Sequence, residues 1–284
     1  ISKERLITDA SMPILNRLED PNVSDDTLLM YAHHIDMSSG SARAINRHKR
    51  DHLIVPLLRS KDPRGRLTGL TCITLRDSKK SKGLPAEKLT DEMFTLAAGM
   101  VNDPKEAWWV AHAAMNVLGK AKPELVAPHF KRLMVWLDHE EWWLRNAAIT
   151  ALTPISTDKR FYKQILSKVG DKILADHRGK VSLAGIVSKL QTADPEVQQF
   201  AVKAFSKSYT EFPTTLAKHV PGGQNLDMNI PLLLESIAGS ISGIPGGYDE
   251  LYRIGPKRYP NETLPHQKLF FAAQLYDRFA FQFN

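Results

Sequence analysis

Basic side chains are concentrated in one part of this 284-residue chain and could bind anions. Residues 43–82 contain twelve Lys and Arg against three acids, a local charge of +9, whereas the whole chain has a formal net charge of +7. The candidate anion-binding residues are Arg43, Arg47, Arg50, Arg64 and Arg66. Arg43, Arg47 and Arg50 have the i, i+4, i+7 spacing that places side chains on one face of a helix. Such a patch attracts phosphate, nucleic acid or an acidic partner, although a solvated face beside a flexible linker explains the same charges.

All five tryptophans lie between residues 108 and 143 and form a second candidate site. Trp108-Trp109 and Trp142-Trp143 are adjacent pairs. Adjacent side chains on a helix point about 100° apart, so one indole of each pair can be buried while the other points outward. Stacked helices would bring indoles of the two pairs together, either as a platform for bases or sugar rings or as filling between the helices. The candidate binding residues here are Trp109, His112, Trp143 and Arg145.

Histidine spacings suggest metal ligands at two places, but neither place completes a motif. His33-His34 lie close to Asp36, and His48 and His52 have the i, i+4 spacing that suits zinc. The segment HKRDH lacks the glutamate that follows the first histidine in HExxH. We therefore predict no metal site.

Motifs for a nucleophile or a nucleotide are also missing. The single cysteine, Cys72, occupies a small-residue position in a helical pattern and is predicted to pack in the core. The Gly-rich segment GIPGG does not join a strand to a helix, and the P-loop pattern GxxxxGK[ST] does not occur. We predict no catalytic residue and no cofactor.

The elements that would position these residues are marked by a recurring Asp-Pro turn. The pairs are Asp20-Pro21, Asp62-Pro63, Asp103-Pro104 and Asp194-Pro195, with the related Asp138-His139 between the last two. The spacings between successive aspartates are 42, 41, 35 and 56, and each turn separates two apolar helical runs. Asp accepts hydrogen bonds from the free N–H groups at a helix start, and Pro fits the first helical position. The pattern predicts paired helices.

The two tryptophan-bearing segments are themselves a repeat. Six identities fall at a constant offset, beginning with Glu106 and Glu140 and ending with Leu118 and Leu152. Paired alanines among them permit neighbouring helices to approach closely. The apolar pattern of residues 67–74 also fits a helix of the repeat better than a strand.

Antiparallel helix pairs of about 35–42 residues, with Asp-Pro turns and small residues in the second helix, resemble HEAT repeats. The resemblance covers residues 12–209 and implies an all-α, right-handed superhelix of about five helix pairs. The longest spacing implies an extra helix or insertion near residues 158–179.

The pattern weakens beyond residue 211, where we place a domain boundary between a solenoid of residues 1–211 and a C-terminal region of residues 212–284. Because this region is rich in Gly and Pro, we expect a short helix near residues 230–242, then a long loop. An amphipathic helix near residues 265–281 is expected to cap the stack.

The resemblance implies a non-catalytic binding or scaffolding module that holds a protein or other polyanionic partner on a concave face lined by the second helices. Because the chain begins with Ile1, we expect it to be part of a larger polypeptide.

A second interpretation is a nucleic-acid-binding protein. The segments EAWWVAHAA and EEWWLRNAAI are similar to the Trp-bearing helices of HEAT-like alkylpurine DNA glycosylases. Those enzymes place a carboxylate one turn after the tryptophan, whereas the turn after Trp109 offers His112 and Ala113. Trp109, Trp143 and Arg145 could still form a binding wall. A third interpretation is a carbohydrate-associated module that uses the indoles.

Composition excludes several classes of protein. Apolar residues make up 43% and charged residues 24%, as in folded proteins. One cysteine excludes a disulfide scaffold, and no window approaches the roughly 18–20 apolar residues that cross a bilayer. One thiol fits the cytoplasm, but a secreted domain without disulfides fits too, so the compartment stays open, as does the oligomeric state.

Overall fold

Helices and helical turns are the regular elements of the part of the chain that the structure describes. The computed structural model describes residues 13–14, 16–33, 38–75, 83–175, 183–211 and 237–258. No strand occurs within these ranges, so the predicted all-α class is confirmed there. The chain forms two compact units, Ile1–Pro154 and Ile155–Asn284, whereas the sequence placed a boundary after residue 211.

The first unit consists of stacked helix pairs. Residues 13–14 and 16–19 are helical. The labelled helices that follow are α1 (Asp25–Ala32), α2 (Ser38–Arg47), α3 (Ile54–Leu58), α4 (Pro63–Thr74), α5 (Asp91–Asn102), α6 (Trp108–Leu118), α7 (Pro123–Val126), α8 (Phe130–Trp136) and α9 (Trp142–Leu152). Short 3₁₀ turns cover Asp51–Leu53, Ala86–Lys88 and Ala127–His129. Helices α1, α4, α6 and α9 form a row in which each packs against the next, and α3, α5 and α8 each pack against one helix of this row.

Small residues let α6 and α9 pack closely. Both alanines of each predicted pair are buried: Ala113, Ala114, Ala147 and Ala148. The C-terminal end of α6 approaches even more tightly, because a Cβ added to Gly119 would lie 2.7 Å from the backbone oxygen of Thr150. A methyl group does not fit at that distance, so the glycine sets how near the two helices lie.

The Asp-Pro turns begin helices directly at two positions. At the start of α4, Pro63 is the first helical residue and the Asp62 carboxylate accepts the Arg64 N–H at 2.9 Å. A 17-residue helix likewise begins at Pro195, directly after Asp194. Residues 67–74 lie in α4, so the prediction that their apolar pattern forms a helix is confirmed.

Two other aspartates close a turn and do not cap a helix. The carboxylates of Asp20 and Asp103 each accept a backbone N–H two residues later, from Asn22 and Lys105, both at 2.8 Å. Helices α1 and α6 each begin five residues after the aspartate, so here the Asp-Pro pair ends one helix and orders the connection.

The second unit is built around one long helix. It contains α10 (Tyr162–Ala175), α11 (Ala184–Leu190), α12 (Pro195–Glu211) and α13 (Gly247–Arg258), besides the helical residues 237–242. Helices α10, α11 and α13 all pack on α12. Ser208 of α12 donates a buried hydrogen bond of 2.7 Å to the backbone oxygen of Gly170 in α10, which holds the two helices side by side.

The expected long loop of the C-terminal region is wrong for residues 247–258, which form α13. Leu251 and Ile254, three residues apart on that helix, are buried, and this apolar spacing outweighs the local Gly and Pro content. Residues 237–242 are helical, within the expected short helix. The remainder of that helix and the expected capping helix lie outside the described residues.

Replacing Lys49 with glycine should stabilise the first unit. Lys49 follows α2 with a backbone φ of 56°, and the Arg50 N–H bonds the Ile45 oxygen at 3.0 Å, the geometry of a helix C-terminus that favours glycine. A side chain in this left-handed conformation is strained. Lys49→Gly should raise the free energy of unfolding by about 0.5–1 kcal/mol in urea denaturation. Lys49→Ala keeps the Cβ, and an equal gain in that variant would contradict the explanation.

The Asp62 cap should give stability a measurable acid dependence. Hydrogen bonds from Arg64 lower the pKa of Asp62 from 3.8 to about 2. A depressed pKa in the folded state means that the stabilisation is complete above the unfolded value and is lost as the pH falls through the folded one. The stability difference between the wild type and Asp62→Asn should therefore be constant above about pH 5 and shrink between pH 4 and 2. A pH-independent difference in denaturation curves would contradict this role.

Candidate binding surface

Most of the predicted anion-binding arginines have carboxylate partners. The nitrogen-to-oxygen distances are 3.1 Å for Arg47–Glu19, 3.6 Å for Arg50–Asp25, 2.7 Å for Arg64–Asp62 and 2.7 Å for Arg66–Glu106. Arg43 is exposed on α2 and contacts no carboxylate within the described ranges. The local excess of positive charge is therefore largely neutralised where the structure shows it, and an anion would have to compete with these carboxylates.

Arg66 links two neighbouring helix pairs. Its Nε and Nη2 donate to the Glu106 carboxylate at 2.8 and 2.7 Å, while its Nη1 donates to the backbone oxygens of Ser60 and Lys61. The side chains of Arg66 and Glu106 are only 19% and 5% exposed. The two-pronged geometry and the burial indicate an ion pair that holds the segment before α6 against the turn before α4.

Arg145 closes a turn in the same way. Its Nη1 donates to the backbone oxygens of His139 and Glu140 at 2.8 and 2.6 Å. Gln198 does the same at the turn before α12, where its Nε2 donates to the Leu190 oxygen at 3.0 Å. Each of these side chains lies four residues after the residue that precedes its helix. The sequence analysis did not predict this role. A long polar side chain four residues after the residue that precedes a helix, such as Arg66 after Asp62, is the pattern that indicates it.

The tryptophan pairs come together at the N-terminal ends of α6 and α9, as predicted. The ring centroids of Trp108 and Trp143 are 5.9 Å apart, and those of Trp142 and Trp143 are 5.8 Å apart with nearly perpendicular rings. Trp108 is 54% exposed. The expectation that one indole of each pair is buried is wrong, because Trp109, Trp142 and Trp143 are all half-buried. We call Trp108, Trp142 and Trp143 the tryptophan surface.

The fifth tryptophan has a structural role. The Trp136 Nε1 of α8 donates to the Val101 oxygen of α5 at 3.2 Å. The Arg132 guanidinium lies 5.2 Å from the centre of its ring, and His139 stacks on it at 5.6 Å. Trp136 therefore joins α5 and α8 and does not belong to the tryptophan surface.

His112 does not add positive charge to this region. It lies half-buried on α6, and burial lowers the pKa of its imidazole. The ring is therefore neutral near pH 7, and it can donate one hydrogen bond but cannot hold an anion by charge.

The histidines considered as metal ligands make separate contacts. His33 bonds the Leu29 oxygen at 2.7 Å, His48 bonds the Leu18 oxygen at 3.0 Å, and His52 bonds Asp25 at 2.8 Å. His34 and Asp36 lie outside the described residues. In the ranges that the structure describes, no three His, Cys, Asp or Glu side chains are grouped as metal ligands would be.

Cys72 lies fully buried in α4, and burial raises the pKa of its thiol well above the usual range. A buried, protonated thiol is a poor nucleophile. The position agrees with the predicted packing role.

Among the described residues, none of the helices has the length and apolar character needed to span a bilayer.

No family model and no curated protein matches the chain. A search of solved structures finds similarity to a designed armadillo repeat protein in complex with the peptide (KR)4. The similarity covers 79% of this chain and 98% of the designed one, at 15% sequence identity and a TM-score of 0.43. The helix pairs described above, and not this similarity, establish the all-α architecture.

Breaking the buried ion pair should destabilise the first unit. Arg66→Ala leaves the nearly buried Glu106 carboxylate and two turn oxygens without their partner, so the free energy of unfolding should fall by about 3–5 kcal/mol. Arg64→Ala removes an exposed ion pair of the same turn and should cost much less. Equal losses in the two variants, measured by urea denaturation, would show that Arg66 does not link the helix pairs.

Proposed function

We propose that this chain is a non-catalytic HEAT-like module that binds a protein partner through the tryptophan surface. The observation that supports it is the exposure of Trp108, a 54% exposed indole that packs against the ring of Trp143 at the edge of two adjacent helices. Large aromatic side chains left accessible in a group are typical of contact sites between proteins.

The tryptophan surface is held in place before any partner arrives. Trp108 and Trp142 are the first residues of α6 and α9, and these helices pack through buried alanines and Gly119. The turn before α9 is closed by Arg145. Because the supporting helices are fixed, binding needs to order few groups, which favours affinity.

The charges favour a protein partner over nucleic acid. A phosphate backbone is held by protein cations that neutralise the phosphates and release their bound counterions. Four of the five arginines proposed as an anion patch pair with carboxylates, and His112 is neutral near pH 7. The five arginines of the patch therefore give limited support to the nucleic-acid interpretation, because Arg43 is the one member without a carboxylate partner within the described ranges.

A peptide selection tests the proposal directly. The full chain is used to select binders from a displayed library of random peptides, and the affinity of the recovered peptides is measured by tryptophan fluorescence. Trp108→Ala should weaken binding at least tenfold, because an exposed central tryptophan carries a large share of binding energy. Val135→Ala, which alters another exposed apolar side chain of the first unit, should leave affinity unchanged.

The same variants test the alternatives. If the recovered peptides bind Trp108→Ala as tightly as wild type, the tryptophan surface is not the binding site. Labelled duplex and single-stranded DNA should bind weakly and lose affinity steeply with salt. Tight DNA binding at about 150 mM salt would favour the nucleic-acid interpretation, and fluorescence quenching by oligosaccharides would favour a carbohydrate-associated module.

A further inference from the structure

The segments that carry the tryptophan surface have an excess of negative charge. Residues 103–108 and 138–145, together with the ion-pair partner Arg66, contain five carboxylates and three cations. The carboxylates are those of Asp103, Asp138, Glu106, Glu140 and Glu141, and the cations are Arg66, Lys105 and Arg145. The surface that is best suited to contact a partner is thus acidic, although the whole chain is basic.

Two of these carboxylates have no partner within the described ranges. Glu106 is held by Arg66, and Asp103 accepts the Lys105 N–H. Glu140 is exposed and Glu141 is half-buried, and no cation or N–H group of the described part of the chain contacts either carboxylate. Both directly precede Trp142, so these carboxylates and the indoles share the start of α9.

The surroundings of Glu140 and Glu141 explain why no cation in the described part of the chain neutralises them. The Nη1 of Arg145, the nearest arginine in sequence, bonds the backbone oxygens of His139 and Glu140, and so is directed at the turn. The Nδ1 of His139 accepts the Glu141 N–H at 3.0 Å, so that nitrogen carries no proton. The start of α9 therefore has acceptors that its own residues leave open.

We propose that the tryptophan surface binds a lysine or arginine side chain of the partner protein, an inference that rests on the proposed function. An ammonium or guanidinium group is attracted to the face of an indole within about 6 Å, and a carboxylate beside the ring strengthens the attraction. Trp108 offers an accessible ring, while Glu140 and Glu141 offer the carboxylates.

Partners of other chemistry fit this surface less well. An uncharged apolar group would cover Glu140 and Glu141 and remove them from water without giving either a partner, which is costly. An acidic group would be repelled by the same two carboxylates. The helix N-termini favour anions, but Glu106, Glu140 and Glu141, which lie just before α6 and α9, already place negative charge there.

Peptides recovered in the selection described above test the inference. Each arginine of a recovered peptide is replaced in turn by citrulline, which keeps its length, and each lysine by norleucine, which keeps its four-carbon chain; both replacements lack the charge. Replacement at one position should lower affinity for the wild-type chain about tenfold. The Glu140→Gln, Glu141→Gln double variant should lose most of this preference for the charged peptide, because the indole face alone then attracts the cation.

A matched control uses two exposed carboxylates elsewhere in the first unit. Glu87→Gln, Glu124→Gln makes the same change in net charge and should keep the preference for the charged peptide. Thermal unfolding of both double variants confirms that the fold is retained. Loss of the preference in the control would mean that only the overall charge matters, and this would overturn the inference.

The outcomes separate the inference from the proposed function. Peptides that depend on Trp108 but have no basic residue, or that bind equally with citrulline, overturn the cation site and leave the protein-binding proposal intact. A charge preference that is undiminished by the Glu140→Gln, Glu141→Gln change places the cation elsewhere and also overturns the inference. If no recovered peptide depends on Trp108, the proposed function fails, and the cation site fails with it.

Discussion

The close contact between α6 and α9 is the constraint on which the rest of the first unit depends. Two alanines from each helix and Gly119 let the backbones approach until a single added methyl group would meet the Thr150 oxygen. At this separation the two helices start side by side, so the indoles at their first turns meet. A wider spacing would separate the rings and leave each as an isolated exposed side chain. Packing inside the unit therefore determines what its edge presents to a partner.

The turns between helices are stabilised by a second recurring device, a long polar side chain in the first turn of the helix that follows. Arg66, Arg145 and Gln198 each donate to backbone oxygens of the preceding turn. These oxygens belong to the ends of helices or to the turns themselves, where no intrahelical donor is available. In both arginines one guanidinium nitrogen donates to two such oxygens, and the guanidinium of Arg66 also donates to the Glu106 carboxylate. At these three positions the long side chain thus stabilises the backbone of the preceding turn.

The sequence was a good guide to the helices and a weaker guide to the roles of their side chains. The Asp-Pro turns and the repeated tryptophan-bearing segments follow from local rules for helix starts and close packing, so the helices around Asp62 and the alanine pairs could be predicted. The partners of Arg47 and Arg66 could not, because Glu19 and Glu106 are distant in the sequence and meet them only after the chain folds. The exposure of Trp108 also depends on packing, since a tryptophan pair at repeat spacing fits a core as well as a surface. Helix α13 was not predicted, because the Gly and Pro content of this region favours a loop, whereas the spacing of the buried Leu251 and Ile254 indicates a helix.

Cys72 has a consequence beyond its part in the packing of α4. It is the single sulfhydryl of the chain, it has no exposed surface, and burial keeps it protonated. A disulfide reagent can react with it only in molecules where α4 has separated from its neighbours, because the thiolate must form and be reached. The labelling rate therefore reports how often this helix opens in the native protein. The molecule therefore carries its own probe of internal motion, in a helix that packs directly against α6.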